Sequence, residues 1–201
     1  MDNNFSKIKV IAWDIDNTLY KRSITLEKEI MSVRNRWLAN KINISIIQAG
    51  RLIDCEYLKT RNYAKALCYL AKISNESHQK IFAHINKKNH LRKDLRLMRL
   101  FKTLKTYRHF INSNSNKKHC LDALEALGLK SITFINLTRL YLKKCFILPS
   151  SLPNSIYIGD HEEYDILPAK KLGIKTIIVW KRSPYADYYC RSIYEVGRLL
   201  S

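Results

Sequence analysis

The sequence predicts an α/β protein, a parallel sheet core with an all-helical unit inserted after its first strand. Three observations lead there. Val10, Ile11, Ala12 and Trp13 form a four-residue apolar run near the N-terminus, which reads as a central strand covered on both faces. Residues 25–88 then show apolar positions at helical spacing with no strand alternation. Further apolar runs follow at 107–112, 156–160 and 175–180, the first and second leading into helical segments. A chain of 201 residues holds one large domain, or a domain with a smaller insert, and either buries a real core.

The first strand delivers two aspartates, Asp14 and Asp16, and breaks into Asn17, Thr18 and Leu19. Acids at the carboxyl end of such a strand sit where open α/β sheets bind ligands. The chain is expected to curl after Asp14, and Asn17 and Thr18 suit such a turn. The plain structural alternative is a strand ending in an Asx turn, with one aspartate capping a helix.

A helix is expected next, with Thr25 as its N-cap and Ile30, Val33, Trp37 and Leu38 recurring at helical spacing. Ser45 opens a second helix, with Ile46, Ala49, Leu52 and Ile53 on one side. Segments 63–71 and 74–84 supply a third and a fourth. Residues 91–108 read as a helix with the stripe Leu91, Leu95, Met98, Phe101 and Leu104, backed by Arg92, Lys93, Arg96, Arg99, Lys102 and Lys105. A strand at 107–112 ends in Ser113 and Asn114. Ser115 or Asn116 then caps a helix over 117–127 that Gly128 ends. After a strand at 132–136, the run 156–160 ends in Asp160, with Asp165 five residues on. A helix, Gly173 and a strand at 175–180 complete the chain's expected elements.

Bulk properties narrow the class. With 46% apolar and 10% aromatic residues the chain is globular rather than disordered. No apolar stretch is long enough for a transmembrane helix, and the N-terminus runs straight into the first strand without an apolar leader, so a cytoplasmic protein is expected. Cys55, Cys68, Cys120, Cys145 and Cys190 are odd in number and widely spaced, which suits reduced thiols. The net charge of +19 is concentrated away from the first strand: residues 21–90 hold 14 basic and 5 acidic groups, and residues 91–118 hold 9 and 1. Solvated faces are the first reading of this surplus, and a nucleic acid is kept as the alternative partner.

DxDxT directly after an apolar strand resembles the first motif of the haloacid dehalogenase (HAD) superfamily of phosphohydrolases. The later motifs match in order: a hydroxyl followed by Asn at Ser113–Asn114, and GDxxxxD at 159–165 before an Ala-containing helix and a Gly-led strand. DIDNTLYKRS and the segment IIQAGRLIDCEYLKTRNYAKALCYLA are similar to the pyrimidine 5'-nucleotidase-like group, with Asn62 and Ala64 departing from its tyrosine–glycine segment. The resemblance implies a Rossmann-like parallel-sheet core at 1–20 and 91–201 and a small all-helical C1 cap at 21–90.

It also implies a Mg²⁺-dependent phosphomonoesterase acting on small phosphorylated metabolites, nucleoside monophosphates first. In that reading Asp14 is the nucleophile and Asp16 the general acid and base. Asp14, Asp160 and Asp165, with the backbone carbonyl of Asp16, hold the metal. Ser113 and Asn114 bind the phosphate. The family also places a lysine between its second and fourth motifs, and the short interval here offers Lys143 and Lys144, without the usual Lys-Pro pair. A displaced cation makes a weak or inactive, basic, nucleic-acid-binding module the alternative.

Overall fold

Six strands, all paired in parallel, lie in the order β3-β2-β1-β4-β5-β6, in a computed structural model that describes residues 5–132, 134–139 and 154–200. The strands are β1 (Val10–Trp13), β2 (Arg108–Ser113), β3 (Phe134–Arg139), β4 (Ser155–Gly159), β5 (Lys175–Val179) and β6 (Tyr188–Cys190). The α/β, Rossmann-like fold class read from the sequence is the one observed. β1 lies between β2 and β4, with Trp13 level with Ile111 on one side and Ile158 on the other. Strand order reverses at β1, so its carboxyl end opens on the crevice where such sheets take ligands.

β1 and its two neighbours are buried on both faces, as continuous apolar strands require. Val10, Ala12, Phe110, Tyr157 and Ala169 form the core on one face. On the other, Trp13 packs against Phe101 at 4.9 Å and its Nε1 donates to Nδ1 of His109 at 3.2 Å. By contact the chain divides into two compact units, Met1–Arg22 with Leu91–Ser201, and Ser23–His90. No helix among the described residues is long and apolar enough to cross a membrane.

The second unit contains α1 (Ile24–Ile42), α2 (Ile46–Thr60), α3 (Tyr63–Ala71) and α4 (Asn75–Ile81), followed by a 3₁₀ turn at Lys87–Asn89. Its core is Leu38, Ala39, Ala49, Ile53, Leu67, Ala71 and Ile81. Ser23, not Thr25, caps α1: it is extended and its Oγ accepts the Leu26 amide at 3.2 Å. Thr25 instead bonds the Ser23 hydroxyl and His90. Ser45 caps α2 through a full capping box with Gln48. The buried row of α2 is Ala49, Ile53 and Glu56, whereas Ile46 and Leu52 are 52% and 41% exposed. Leu52 and Ile53 are about 100° apart around the helix, and the tighter i, i+4, i+7 row wins the core.

In the first unit, α5 (Leu95–Thr103) begins later than the expected helix because the Asp94 carboxylate accepts the Arg96 and Leu97 amides, each at 2.9 Å. The buried stripe is Leu97, Leu100, Phe101 and Leu104, and Leu95, in the first turn, is 57% exposed. Asn116, rather than Ser115, caps α6 (Lys117–Ala126), with its Oδ1 on the His119 amide at 2.9 Å. Gly128 follows at φ +84°, a conformation that suits glycine after a helix. The strand expected at 132–136 forms at Phe134–Arg139. The short α7 (Leu167–Lys171), β6 and α8 (Val196–Leu200) complete the unit. Cys55, Cys68, Cys120 and Cys190 form no disulfide among the described residues, and Cys145 lies outside them.

His109 gives the fold a pH dependence. Burial pushes its pKa down to about 4, opposed by a backbone hydrogen bond at Leu104. The unfolded ring titrates near 6.5, so between these values unfolding takes up a proton, and stability falls as pH drops from about 6.5 towards 4. The Trp13 indole also needs an unprotonated Nδ1. Unfolding free energies from urea titrations at pH 7 and pH 4.5 should differ by about 2 kcal/mol more in the wild type than in His109→Gln. Equal differences would remove His109 as the cause.

Candidate active site

The turn after β1 builds the centre of the site. Asp14 extends the β1–β4 pairing by donating its amide to the Ile158 carbonyl at 2.9 Å. The chain then curls: the amides of Thr18 and Leu19 both reach the Ile15 carbonyl, at 3.1 and 3.0 Å. Asn17 takes the left-handed conformation at φ 64°, which asparagine tolerates better than most residues. Its Oδ1 accepts the Arg22 amide at 3.2 Å. Trp180, just past β5, closes the turn from the side with its Nε1 on the Thr18 carbonyl at 3.3 Å.

Three carboxylates meet at the ends of β1 and β4. One oxygen from each of Asp14, Asp160 and Asp165 lies within 4.8 Å of the others. Asp14 and Asp165 are buried and Asp160 is partly so. The Thr18 hydroxyl bridges two of them, 3.0 Å from Asp14 Oδ2 and 3.4 Å from Asp160 Oδ1. Asp165 sits on a single π-helical turn at Glu162–Ile166 and is held by the His161 amide at 2.8 Å and the Tyr157 hydroxyl at 3.0 Å. Burial first, and then the charges of Asp165 and Asp14, push the Tyr157 hydroxyl well above its ordinary pKa, so it stays a donor. Gly159 is the floor of this cradle: a Cβ there would lie 2.4 Å from Asp165 Cγ.

Three like charges brought together under partial burial repel one another unless a cation or protons intervene. An all-oxygen carboxylate set of this kind suits a hard divalent ion such as Mg²⁺. The residues present therefore fit a metal.

Asp16 has other company. Its carboxylate accepts hydrogen bonds from the hydroxyls of Tyr20 and Ser115, one on each oxygen. The Ser115 bond ties the loop after β2 to the loop after β1. Ser113, the last residue of β2, is buried, and its Oγ accepts the Ser115 amide at 3.2 Å. Asn114 follows in the bend.

No family model matches the sequence, and no curated protein does. Solved structures match over nearly the full length. A HAD phosphatase from Thermococcus onnurineus superposes with a TM-score of 0.68 at 19% identity, covering 96% of this chain and 98% of that one. A haloacid dehalogenase-like hydrolase from Streptococcus pneumoniae gives 0.62 at 15%, covering 98% and 100%. The L-2-haloacid dehalogenase of Xanthobacter autotrophicus gives 0.57 at 12%, covering 96% and 98%. The fold is that of the HAD hydrolases.

Of the residues singled out in the sequence, the structure brings Asp14, Asp160 and Asp165 together. The Asp16 side chain is engaged elsewhere, which leaves its backbone carbonyl as what it could offer a metal. Ser113 and Asn114 stand at the end of β2, and Lys143 and Lys144 lie outside the described residues. The sequence reading missed Tyr20, Thr18, Ser115, Tyr157 and Gly159 as parts of the site. Tyr20 had a local signal, four residues beyond Asp16 across an expected turn. Ser115 had only its place in a polar turn.

Proposed function

We propose that this protein is a Mg²⁺-dependent phosphomonoesterase acting on small phosphorylated metabolites, nucleoside monophosphates first, of the pyrimidine 5'-nucleotidase-like type with the helical unit as a C1 cap. The observation that carries the reading is the convergence of Asp14, Asp160 and Asp165 at the carboxyl ends of β1 and β4. Mg²⁺ bound there would neutralise the carboxylates and polarise a phosphate oxygen.

Asp14 attacks phosphorus in line: an Asp14 Oδ–P bond forms as the bond to the leaving oxygen breaks. Asp16, protonated, gives its proton to the departing alkoxide, then takes one from the water that hydrolyses the aspartyl-phosphate. The Ser113 hydroxyl and Asn114 steady the phosphate oxygens, with Lys143 or Lys144 as the proposed cation. Dehalogenation, an activity named among the structural neighbours, expels halide and needs no such proton, so an acid at position 16 favours the phosphatase reading.

The test is release of inorganic phosphate from a panel of monophosphates, with and without Mg²⁺. Turnover that requires Mg²⁺ and favours nucleoside monophosphates supports the proposal. No release from any member sinks it.

Tyr20 and Ser115 fix the orientation of the Asp16 carboxylate in this scheme. Tyr20→Phe and Ser115→Ala should each lower kcat about tenfold, with KM little changed, because each frees one oxygen of the proton carrier to rotate. A change confined to KM would instead place these hydroxyls in substrate binding.

A further inference from the structure

We propose that the outer face of α5 and its flanks is a docking surface for the phosphate backbone of a nucleic-acid duplex. α5 turns Leu97, Leu100 and Phe101 into the core, and Arg96, Arg99 and Lys102 stand exposed on its remaining surface beside Leu95 and Thr103. Lys93, Arg96, Arg99, Lys102, Lys105 and Arg108 are all exposed. None of the six has a carboxylate ion-pair partner among the described residues, whereas Lys59, Lys118, Lys130 and Lys170 do. The one acid in the stretch, Asp94, is spent on the helix cap and on the Tyr194 hydroxyl at 2.6 Å. Glu195, on the neighbouring 3₁₀ turn at Ile193–Glu195, accepts the Arg191 amide at 2.8 Å, and Arg198 on α8 is exposed and adds to the positive field.

The chemistry selects the partner. From Arg96 to Lys102 is six residues, about 9 Å along the helix axis, with cations every three residues or about 4.5 Å, and Lys105 follows in the turn after the helix. That spacing is comparable with the roughly 3.4 Å advance of phosphates along a strand of duplex. Single-strand binders add aromatic platforms for the bases. Here Tyr194, beside the patch, is covered by the Arg96 guanidinium at 3.9 Å, and the half-buried Tyr107 is held by its hydroxyl on the Leu200 carbonyl at 2.7 Å. A membrane-surface helix needs an available apolar face, and that of α5 is buried in the core apart from Leu95. What is left is charge-driven, sequence-independent contact with backbone phosphates, independent of any turnover at the acidic site.

Binding of the full chain to a 20-base-pair DNA duplex, across a salt series, tests this. The wild type should bind, with log Kd linear in log salt. Arg96→Gln, Arg99→Gln, Lys102→Gln and Lys105→Gln together should reduce the slope by about 3 to 4. A control variant with the same loss of charge, Lys28→Gln, Lys41→Gln, Arg51→Gln and Lys80→Gln, should leave it nearly unchanged. In the wild type, which needs no variant to fold, duplex should protect Lys102 and Lys105 from amine acetylation and leave Lys28 and Lys41 reactive. Absence of duplex binding at low salt would overturn the proposal. So would equal slope loss in the two variants, tighter binding to a single strand of the same length, or tighter binding to anionic vesicles.

Discussion

Asp14→Asn should reduce phosphate release at least a thousandfold while the protein stays folded. On the proposed mechanism the Asp14 oxygen forms the bond to phosphorus, and a neutral amide is a far poorer nucleophile. The substitution is nearly isosteric, and the amide oxygen can still accept the Thr18 hydroxyl that now lies 3.0 Å from Asp14 Oδ2. The effect on stability should therefore have the opposite sign to that of most core changes. Asp14, Asp160 and Asp165 crowd three carboxylates together, so removing one charge relieves repulsion, and without Mg²⁺ the variant should be more stable by about 1 kcal/mol. The stabilisation that Mg²⁺ gives the wild type should shrink in parallel, because the ion loses a charged ligand. Thermal unfolding with and without Mg²⁺, run beside the phosphate assay, separates the two effects. A variant within tenfold of wild-type turnover would remove Asp14 as the nucleophile whatever the melting curves show.

How much of this was legible in the sequence depends on how local each signal was. β1, β2, β4 and β5 each carry a short apolar run that shows in the sequence, and Asp14 and Asp160 stand directly at strand ends, so pattern found the strands, whereas grouping the acids into one candidate site rested on the resemblance. Boundaries were less legible where one side chain decides them. Asp94 starts α5 and Ser23 starts α1, and in each case the capping side chain, not the apolar spacing, sets the first residue of the helix. β6 is three residues, Tyr188–Cys190, too short to show a period. The contacts of Asp16 were out of reach for another reason. Tyr20 and Ser115 are 95 residues apart, and they meet on one carboxylate only because β1 and β2 are neighbours in register. The meaning of the basic surplus was also hidden, since composition counts charges without showing which have partners.

Gly159 supplies the second large effect, and it separates backbone strain from crowding. The positive-φ glycines are Gly128 and Gly173, so Gly159 is not required by a left-handed backbone. Its role is close approach: an added Cβ would lie 2.4 Å from Asp165 Cγ and 2.5 Å from Asp165 Cβ, far inside contact distance. In Gly159→Ala the Asp165 carboxylate must retreat by about 1 Å, and the bonds it accepts from the His161 amide and the Tyr157 hydroxyl go with it. Overpacking plus those losses should cost about 2 to 4 kcal/mol. Mg²⁺ binding, followed by calorimetry, should weaken at least tenfold, and turnover should fall with it. A cycle with Asp165→Gly decides whether crowding is the cause, since that change removes every Asp165 atom the new methyl would meet. The penalty of Gly159→Ala should be mostly absent in that background. If it persists, the methyl is meeting something other than Asp165, and the close approach of Gly159 is not what holds the third carboxylate in place.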